Sequence, residues 1–216
     1  MNGWAQHARL AAPAFLWIAV VCAVFSDKAF TIDDPFFLAQ ANQVLEEPLN
    51  PSGFDIVWGP KLGRASEVSP TGPGMAYILA PTAALGGREW VAHLTVFAFL
   101  AAGAWVAVAM ARRLGATPNE ARLVSLALVS VPTVLAMAGT AMPDVPAMAV
   151  GLLGLERTLA FRDGRRTTQG IAVSFALGKL KLPRPPEPPT AVAPERPSPG
   201  GGDISASGVP PGPNSR

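Results

Sequence analysis

Long apolar blocks separated by short charged stretches dominate the chain up to about residue 166. Each block holds about 16 to 20 residues, which matches the roughly 30 Å hydrocarbon core of a bilayer at 1.5 Å rise per residue. The pattern predicts four membrane-spanning helices, at residues 10–25, 91–110, 123–142 and 145–161, with a partial fifth block at 170–182. The predicted fold class is therefore all-α, a polytopic transmembrane helical protein.

The first apolar block has two interpretations. A basic start followed by an apolar run is typical both of a cleaved signal peptide and of an uncleaved first helix. No small-x-small site follows Phe25, where the chain continues Ser26-Asp27-Lys28. Further apolar blocks follow as well, so the pattern favours an uncleaved first span.

Residues 26–90 form an outer loop that holds two shorter helical patterns. Asp34 is a preferred N-cap residue and Pro35 suits the first helical position, which predicts a helix beginning there and ending at Glu46-Glu47-Pro48. Helical spacing places five apolar residues on one face, which we expect to lie in the headgroup region: Phe37, Leu38, Ala41, Val44 and Leu45. The piece 75–85 is too short to span and is predicted to be re-entrant or interfacial.

The spans after this loop carry their own local signals. Thr117-Pro118 with Glu120 predicts a capped helix start. Pro132 falls inside the third span, where neighbouring helices can satisfy the carbonyl that it frees. Glu156 and Arg157, near the end of the fourth span, are expected to reach the interface.

The distribution of arginines predicts an orientation. With four crossings, the arginines around residue 9, residues 112–122 and residues 162–166 all fall on one side, while the acidic loop and Asp144 fall on the other. The positive-inside rule then places the N-terminus in the cytoplasm and the acidic loop outside. We expect a multi-pass protein of a bacterial cytoplasmic membrane.

Composition narrows the classes of function. Only 15% of residues are charged and the net charge is +2, which is too small to indicate nucleic-acid binding. The single Cys22 allows neither an internal disulfide nor a cysteine zinc site. Residues 183–216 are rich in proline and glycine and are predicted to be a disordered tail behind a transmembrane region at 1–182.

Three acidic residues on the outer side could carry chemistry. Asp33 and Asp34 follow the first span and could supply a general base. The alternative is that Asp34 caps the helix and Asp33 is a solvated loop charge, in which case Asp33 is the freer carboxylate. Asp144 lies at the turn before the fourth span and either caps that helix or acts as a further site carboxylate. His93 is interpreted as an interfacial histidine rather than a ligand.

The order of these features resembles a known family. An outer loop opens with Thr31-Ile32-Asp33-Asp34-Pro35-Phe36-Phe37-Leu38-Ala39-Gln40-Ala41, followed by the Pro-rich segment Ser69-Pro70-Thr71-Gly72-Pro73-Gly74-Met75-Ala76-Tyr77 and the turn Met142-Pro143-Asp144. Over residues 10–178 this is similar to the N-terminal part of the GT-C membrane glycosyltransferases, which include protein O-mannosyltransferases and lipid A aminoarabinose transferases. The chain departs from the family in having Asp34 where glutamate is commoner and in lacking a basic residue at Thr71 or Gly72.

The resemblance implies a site and a substrate. Asp33 matches the base that deprotonates an acceptor hydroxyl, Asp34 the second acid of the pair, and Asp144 the acid at the third-to-fourth turn. The implied donor is a polyprenyl-phosphate-linked sugar within the membrane lipid. No cofactor is assigned, and whether the site uses a divalent cation is left open. The family is longer, so we expect the 216-residue chain to be a truncated N-terminal portion that is inactive by itself; the alternatives are a non-catalytic membrane protein or scaffold and a transporter fragment.

Overall fold

The computed structural model describes residues 3–31, 33–58, 61–68 and 72–162, which are mostly helical. The elements in chain order are α1 Gly3–Phe25, α2 Asp34–Glu46, β1 Asp55–Trp58, β2 Lys61–Arg64, α3 Ala65–Val68, α4 Gly74–Ala84, α5 Glu89–Arg113, α6 Pro118–Ser130, α7 Pro132–Ala138 and α8 Asp144–Arg162. The predicted partial fifth span at 170–182 and the tail at 183–216 lie outside the described residues.

Two of the described helices, α1 and α5, are long and apolar enough to cross a membrane. The bent pair α6 and α7 makes a third if it is taken as one broken span. The prediction of four spans is therefore met in part. The helix α8 covers the predicted fourth span, but any 18-residue stretch of its 19 residues holds three charged residues.

The predicted third span is broken at Pro132. The α6 and α7 axes differ by 60°, and Val131 between them is extended, with φ −62° and ψ 123°. Proline lacks an N–H and excludes the helical conformation from the residue before it, so the chain turns there instead of continuing. The second half also ends early, at Ala138, so residues 139–142 are not the last turn of a straight helix as predicted.

The long helices pack around α5. It contacts α1, α6 and α8, and its buried face carries Val96, Leu100 and Ala104. A Cβ atom added at Gly103 would meet Ala149 of α8 at 3.7 Å, which is ordinary contact, so the two backbones approach closely here. Small residues such as Gly103 therefore allow the two helices to pack closely. Close packing matters in lipid, because burial of apolar surface does not drive helices to associate there.

The apolar face of α2 packs inside the protein. Phe36, Phe37 and Ala41 are buried in the main core cluster, Val44 is also buried, and α2 contacts α4. Leu45, predicted on the same face, is half exposed. The expectation that this face lies in lipid headgroups is therefore wrong, because α4 covers it.

A β-hairpin interrupts the all-α prediction. Strands β1 and β2 pair antiparallel, with Asp55 opposite Arg64 and Val57 opposite Leu62. Asp55 and Arg64 also form an exposed ion pair at 3.4 Å. Trp58 packs edge-on against Phe36 at 5.4 Å between ring centroids, so it anchors the hairpin to α2.

The start of α6 is capped as predicted. The Thr117 hydroxyl accepts from the Glu120 N–H at 3.3 Å, and the Glu120 carboxylate accepts from the Thr117 N–H at 2.7 Å. Each side chain satisfies a backbone donor that the first helical turn leaves without a partner. Glu156, which was expected to reach the membrane interface, is 8% exposed and pairs with Arg113 at 2.7 Å.

Candidate functional site

The carboxylate of Asp34 joins two distant parts of the chain. It is fully buried at the first turn of α2, and its Oδ2 accepts from the Thr31 N–H at 2.9 Å and the Thr31 hydroxyl at 3.3 Å. Its Oδ1 accepts from the Ala141 N–H at 2.9 Å. A buried carboxylate needs such donors to offset its lost hydration. Asp34 therefore fixes the start of the outer loop to the segment before α8.

This geometry corrects the cap assignment. The N-cap residue of α2 is Asp33, one residue earlier than predicted, and Asp34 occupies the first helical position. Because the Asp34 oxygens are bonded to Thr31 and Ala141, they do not cap the helix. Asp34 still lies where the positive end of the helix dipole favours a negative charge.

The Asp33 carboxylate has no hydrogen-bond or ion-pair partner among the described residues. Its side chain makes no cap hydrogen bond, its backbone is helical with φ −94° and ψ −14°, and its carbonyl accepts from the Phe36 N–H at 3.0 Å. The side chain is partly exposed. Asp33 is thus the freer of the two carboxylates. The reason is that Asp34 makes buried hydrogen bonds, and not that Asp34 caps the helix.

Lys28 and His93 strengthen the same junction. The Lys28 ammonium donates to the Gly139 carbonyl at 2.8 Å, and the His93 Nε2–H donates to the Lys28 carbonyl at 2.8 Å. His93, interpreted from the sequence as interfacial, is fully buried within the protein. Together with Asp34, these two residues hold the outer loop against residues 139–141, and we name the three the outer clamp.

Asp144 lies at the same end of the molecule. It is the first residue of α8 and is exposed. Three trans peptide bonds separate it from Ala141, so their Cα atoms are at most about 11 Å apart. The structure therefore brings all three predicted acids to the outer-loop end, with Asp33 and Asp144 exposed to some degree and Asp34 fully buried.

An apolar groove runs from this end down between α1 and α7. Its volume is about 540 Å³. Lys28 is the one charged residue that lines it in the described part of the chain; the remaining lining residues are Trp17, Val20, Val21, Val24, Phe25, Leu135, Ala136 and Gly139. The sequence offered a signal for Lys28, since it is a cation directly after the first span. Nothing in the sequence indicated that residues 135–139 would face it.

The described residues contain no group of three or more His, Cys, Asp and Glu side chains placed to hold a metal ion. Of the three predicted site acids, Asp34 already uses both oxygens for hydrogen bonds to Thr31 and Ala141.

Comparisons of the chain with protein-family models, with curated proteins and with solved structures find no match. The geometry of the outer-loop end is therefore the basis for assigning a function.

Proposed function

We propose that this chain is a membrane glycosyltransferase, or the N-terminal portion of one. It would move a sugar from a polyprenyl phosphate to an acceptor on the outer face of the membrane. The observation that carries the proposal is the pairing of a free carboxylate, Asp33, with a neighbour, Asp34, that is fixed by buried hydrogen bonds. A general base must be accessible to the acceptor hydroxyl, and its carboxylate must be held at a fixed position.

In the proposed reaction, Asp33 takes the proton of an acceptor hydroxyl. The hydroxyl oxygen attacks the anomeric carbon, the bond from that carbon to the phosphate oxygen breaks, and the lipid phosphate leaves with the bonding electrons. Attack opposite the leaving group inverts the anomeric centre. Asp34 serves by holding the first turn of α2, and so the position of Asp33, against residues 139–141.

The groove beside Lys28 supports the lipid part of the proposal. An isoprenoid chain is apolar and fits a groove lined by aliphatic and aromatic side chains. Lys28 uses one of its three ammonium protons on the Gly139 carbonyl, which leaves two for a phosphate at the mouth of the groove. Lys28 thus supplies the cation that the Pro-rich segment lacks at Thr71 and Gly72.

The packing of the helix ends supports a proposed placement in the membrane. Lys28, His93 and Asp34 bring the C-terminal end of α1, the N-terminal end of α5 and the start of α8 together, while Arg112, Arg113 and Arg157 lie toward the opposite end. We propose four crossings in a bacterial cytoplasmic membrane with the N-terminus inside. A reporter active only outside the cytoplasm should work when fused at Gly53 and fail at Gly115, and the reverse pattern would contradict this topology.

The function itself is tested with polyprenyl-phosphate sugars labelled in the sugar. Vesicles that hold the chain should retain the donor, and Lys28→Gln should weaken retention about tenfold, as expected for a lost hydrogen bond to a charged group. Arg64→Gln, which removes an exposed outer-side cation paired with Asp55, is the matched control and should change retention less than twofold.

Donor consumption then separates the outcomes. Retention with consumption identifies a complete transferase, and retention without consumption identifies the N-terminal portion of one. If the donor is neither retained nor consumed, the glycosyltransferase proposal fails and a non-catalytic membrane protein is left.

A further inference from the structure

Lys28 is held at three points, and one of them is a buried histidine on another helix. The Lys28 N–H donates to the Phe25 carbonyl at 3.2 Å, and the ammonium donates to the Gly139 carbonyl at 2.8 Å. The Lys28 carbonyl accepts from the His93 Nε2–H at 2.8 Å. Because His93 lies in the second turn of α5, the backbone from which the Lys28 side chain extends is fixed by that helix.

The imidazole ring of His93 is enclosed by the protein. The side chain is fully buried, and the Phe30 ring lies 6.1 Å from it between centroids. A carbonyl oxygen can only accept, so Nε2 carries the ring proton and Nδ1 is an acceptor. Nδ1 is buried and has no hydrogen-bond partner in the described part of the chain. The hydrogen bond that the ring does make is directed at the backbone of Lys28.

The acceptor at Nδ1 limits what His93 contributes to the stability of the fold. A buried acceptor without a donor costs free energy of the same order as a hydrogen bond contributes, so it offsets the bond to Lys28. Leucine in place of His93 removes both the bond and the acceptor. The main effect of that change is local, because the partly buried Lys28 carbonyl loses its donor and turns toward water. This turn displaces the side chain of the same residue.

We propose that His93 is a positioning residue for Lys28, and through Lys28 for recognition of the donor phosphate. The inference rests on the proposed function, in which the two remaining ammonium protons of Lys28 bind that phosphate. The Lys28 side chain also packs on Gly139, where an added Cβ atom would meet its Cδ atom at 3.9 Å. His93 fixes one end of this side chain and Gly139 the other, which holds the ammonium within the roughly 0.5 Å that a binding group requires.

The test compares a polyprenyl phosphate with the polyprenol of equal chain length, both labelled and offered to the full chain in detergent. The parent should retain the phosphate at least about tenfold more tightly, as expected for a hydrogen bond to a charged group. His93→Leu should reduce this preference to less than about threefold, since the displaced ammonium loses that bond. His93→Gln should stay within about twofold of the parent, because its NH₂ group can donate from near the position of Nε2. Circular dichroism shows that each variant is folded.

Gln40→Leu is the matched control. Gln40 is also fully buried, donates one hydrogen bond to the Ser52 hydroxyl at 2.8 Å, and has an Oε1 atom without a partner among the described residues. Leucine at this position removes the same kinds of group as in His93→Leu, at a contact that does not include Lys28. We expect the phosphate preference to equal that of the parent. A loss as large as in His93→Leu would show that any such buried group affects it, and would overturn the assignment.

Combining two substitutions shows whether His93 acts through Lys28. In a Lys28→Gln background, His93→Leu should lower the retention of polyprenyl phosphate no further, because substitutions that act on one shared contact are not additive. An equal additional loss in that background, or an unchanged preference in folded His93→Leu, would overturn the positioning role and leave the proposed donor site in place. A parent chain that retains phosphate and alcohol equally would overturn the donor site itself, and the role of His93 with it.

Discussion

In a chain, or a longer version of it, that consumes the donor, Asp33→Asn should lower the rate of sugar transfer by about 10²-fold or more while donor retention changes less than twofold. Asparagine has nearly the shape of aspartate but cannot take a proton from a hydroxyl. The substitution leaves α2 in place, because the Asp33 side chain makes no cap hydrogen bond and the helix start is held through Asp34 and Ala141. Rate and retention are measured on the same vesicles with labelled donor.

Asp27→Asn is the matched control for this prediction. Asp27 is an exposed carboxylate on the same outer loop, six residues before Asp33, and we expect its replacement to leave both transfer and retention unchanged. An equal loss of retention and rate in Asp33→Asn would show that Asp33 binds the donor instead of acting as a base. An unchanged rate would remove Asp33 from the reaction altogether.

Local signals in the sequence predicted local structure well. The capping box at Thr117 and Glu120 needs only residues three apart, and it forms as predicted. The end of α2 at Glu46 follows from the two glutamates and the proline behind it. The apolar blocks of α1 and α5 likewise follow from composition over one helix length.

Features that depend on a distant partner were missed. The predicted apolar face of α2 included Leu45, which is half exposed, and left out Phe36, which is buried, because helical spacing alone does not show where α4 packs against α2. The hairpin β1–β2 is only four residues on each side and carries no clear period-two pattern. Pro132 was recognised in the sequence. Whether the helix continues past this proline or bends there by 60° depends on the neighbouring helices.

The geometry of the candidate site was also predicted only in part, because one of its contacts depends on a distant partner. Asp33, Asp34 and Asp144 were identified from residue type and position. The hydrogen bond that distinguishes Asp34 from Asp33 goes to the backbone N–H of Ala141, 107 residues away. Every residue other than proline has such a group, so no sequence pattern indicates which one a carboxylate will reach.

Asp34→Ala should lower the free energy of unfolding by about 2–4 kcal/mol. The substitution removes the acceptor of the buried Ala141 N–H and of the partly buried Thr31 N–H. An unsatisfied buried donor costs about 1–3 kcal/mol, and a hydrogen bond to a charged group contributes about 1.5–3 kcal/mol. Asp34→Asn should cost less, since its carbonyl oxygen can still accept from the Ala141 N–H while its NH₂ group can donate to the Thr31 hydroxyl. Denaturant unfolding in detergent, followed by circular dichroism, measures both changes.

Amide hydrogen exchange at Ala141 shows whether the loss arises at the outer clamp. The Ala141 amide should exchange faster in Asp34→Ala than in the parent, because its hydrogen bond to Oδ1 is gone, while the amide of buried Leu100 in the middle of α5 should change only by the global loss of stability. Asp27→Ala, an exposed carboxylate of the same loop, should stay within about 0.5 kcal/mol of the parent. If Asp34→Ala unfolds at the parent's denaturant concentration and Ala141 keeps its protection, Asp34 does not hold residues 139–141. Asp33 would then have no fixed position from which to act.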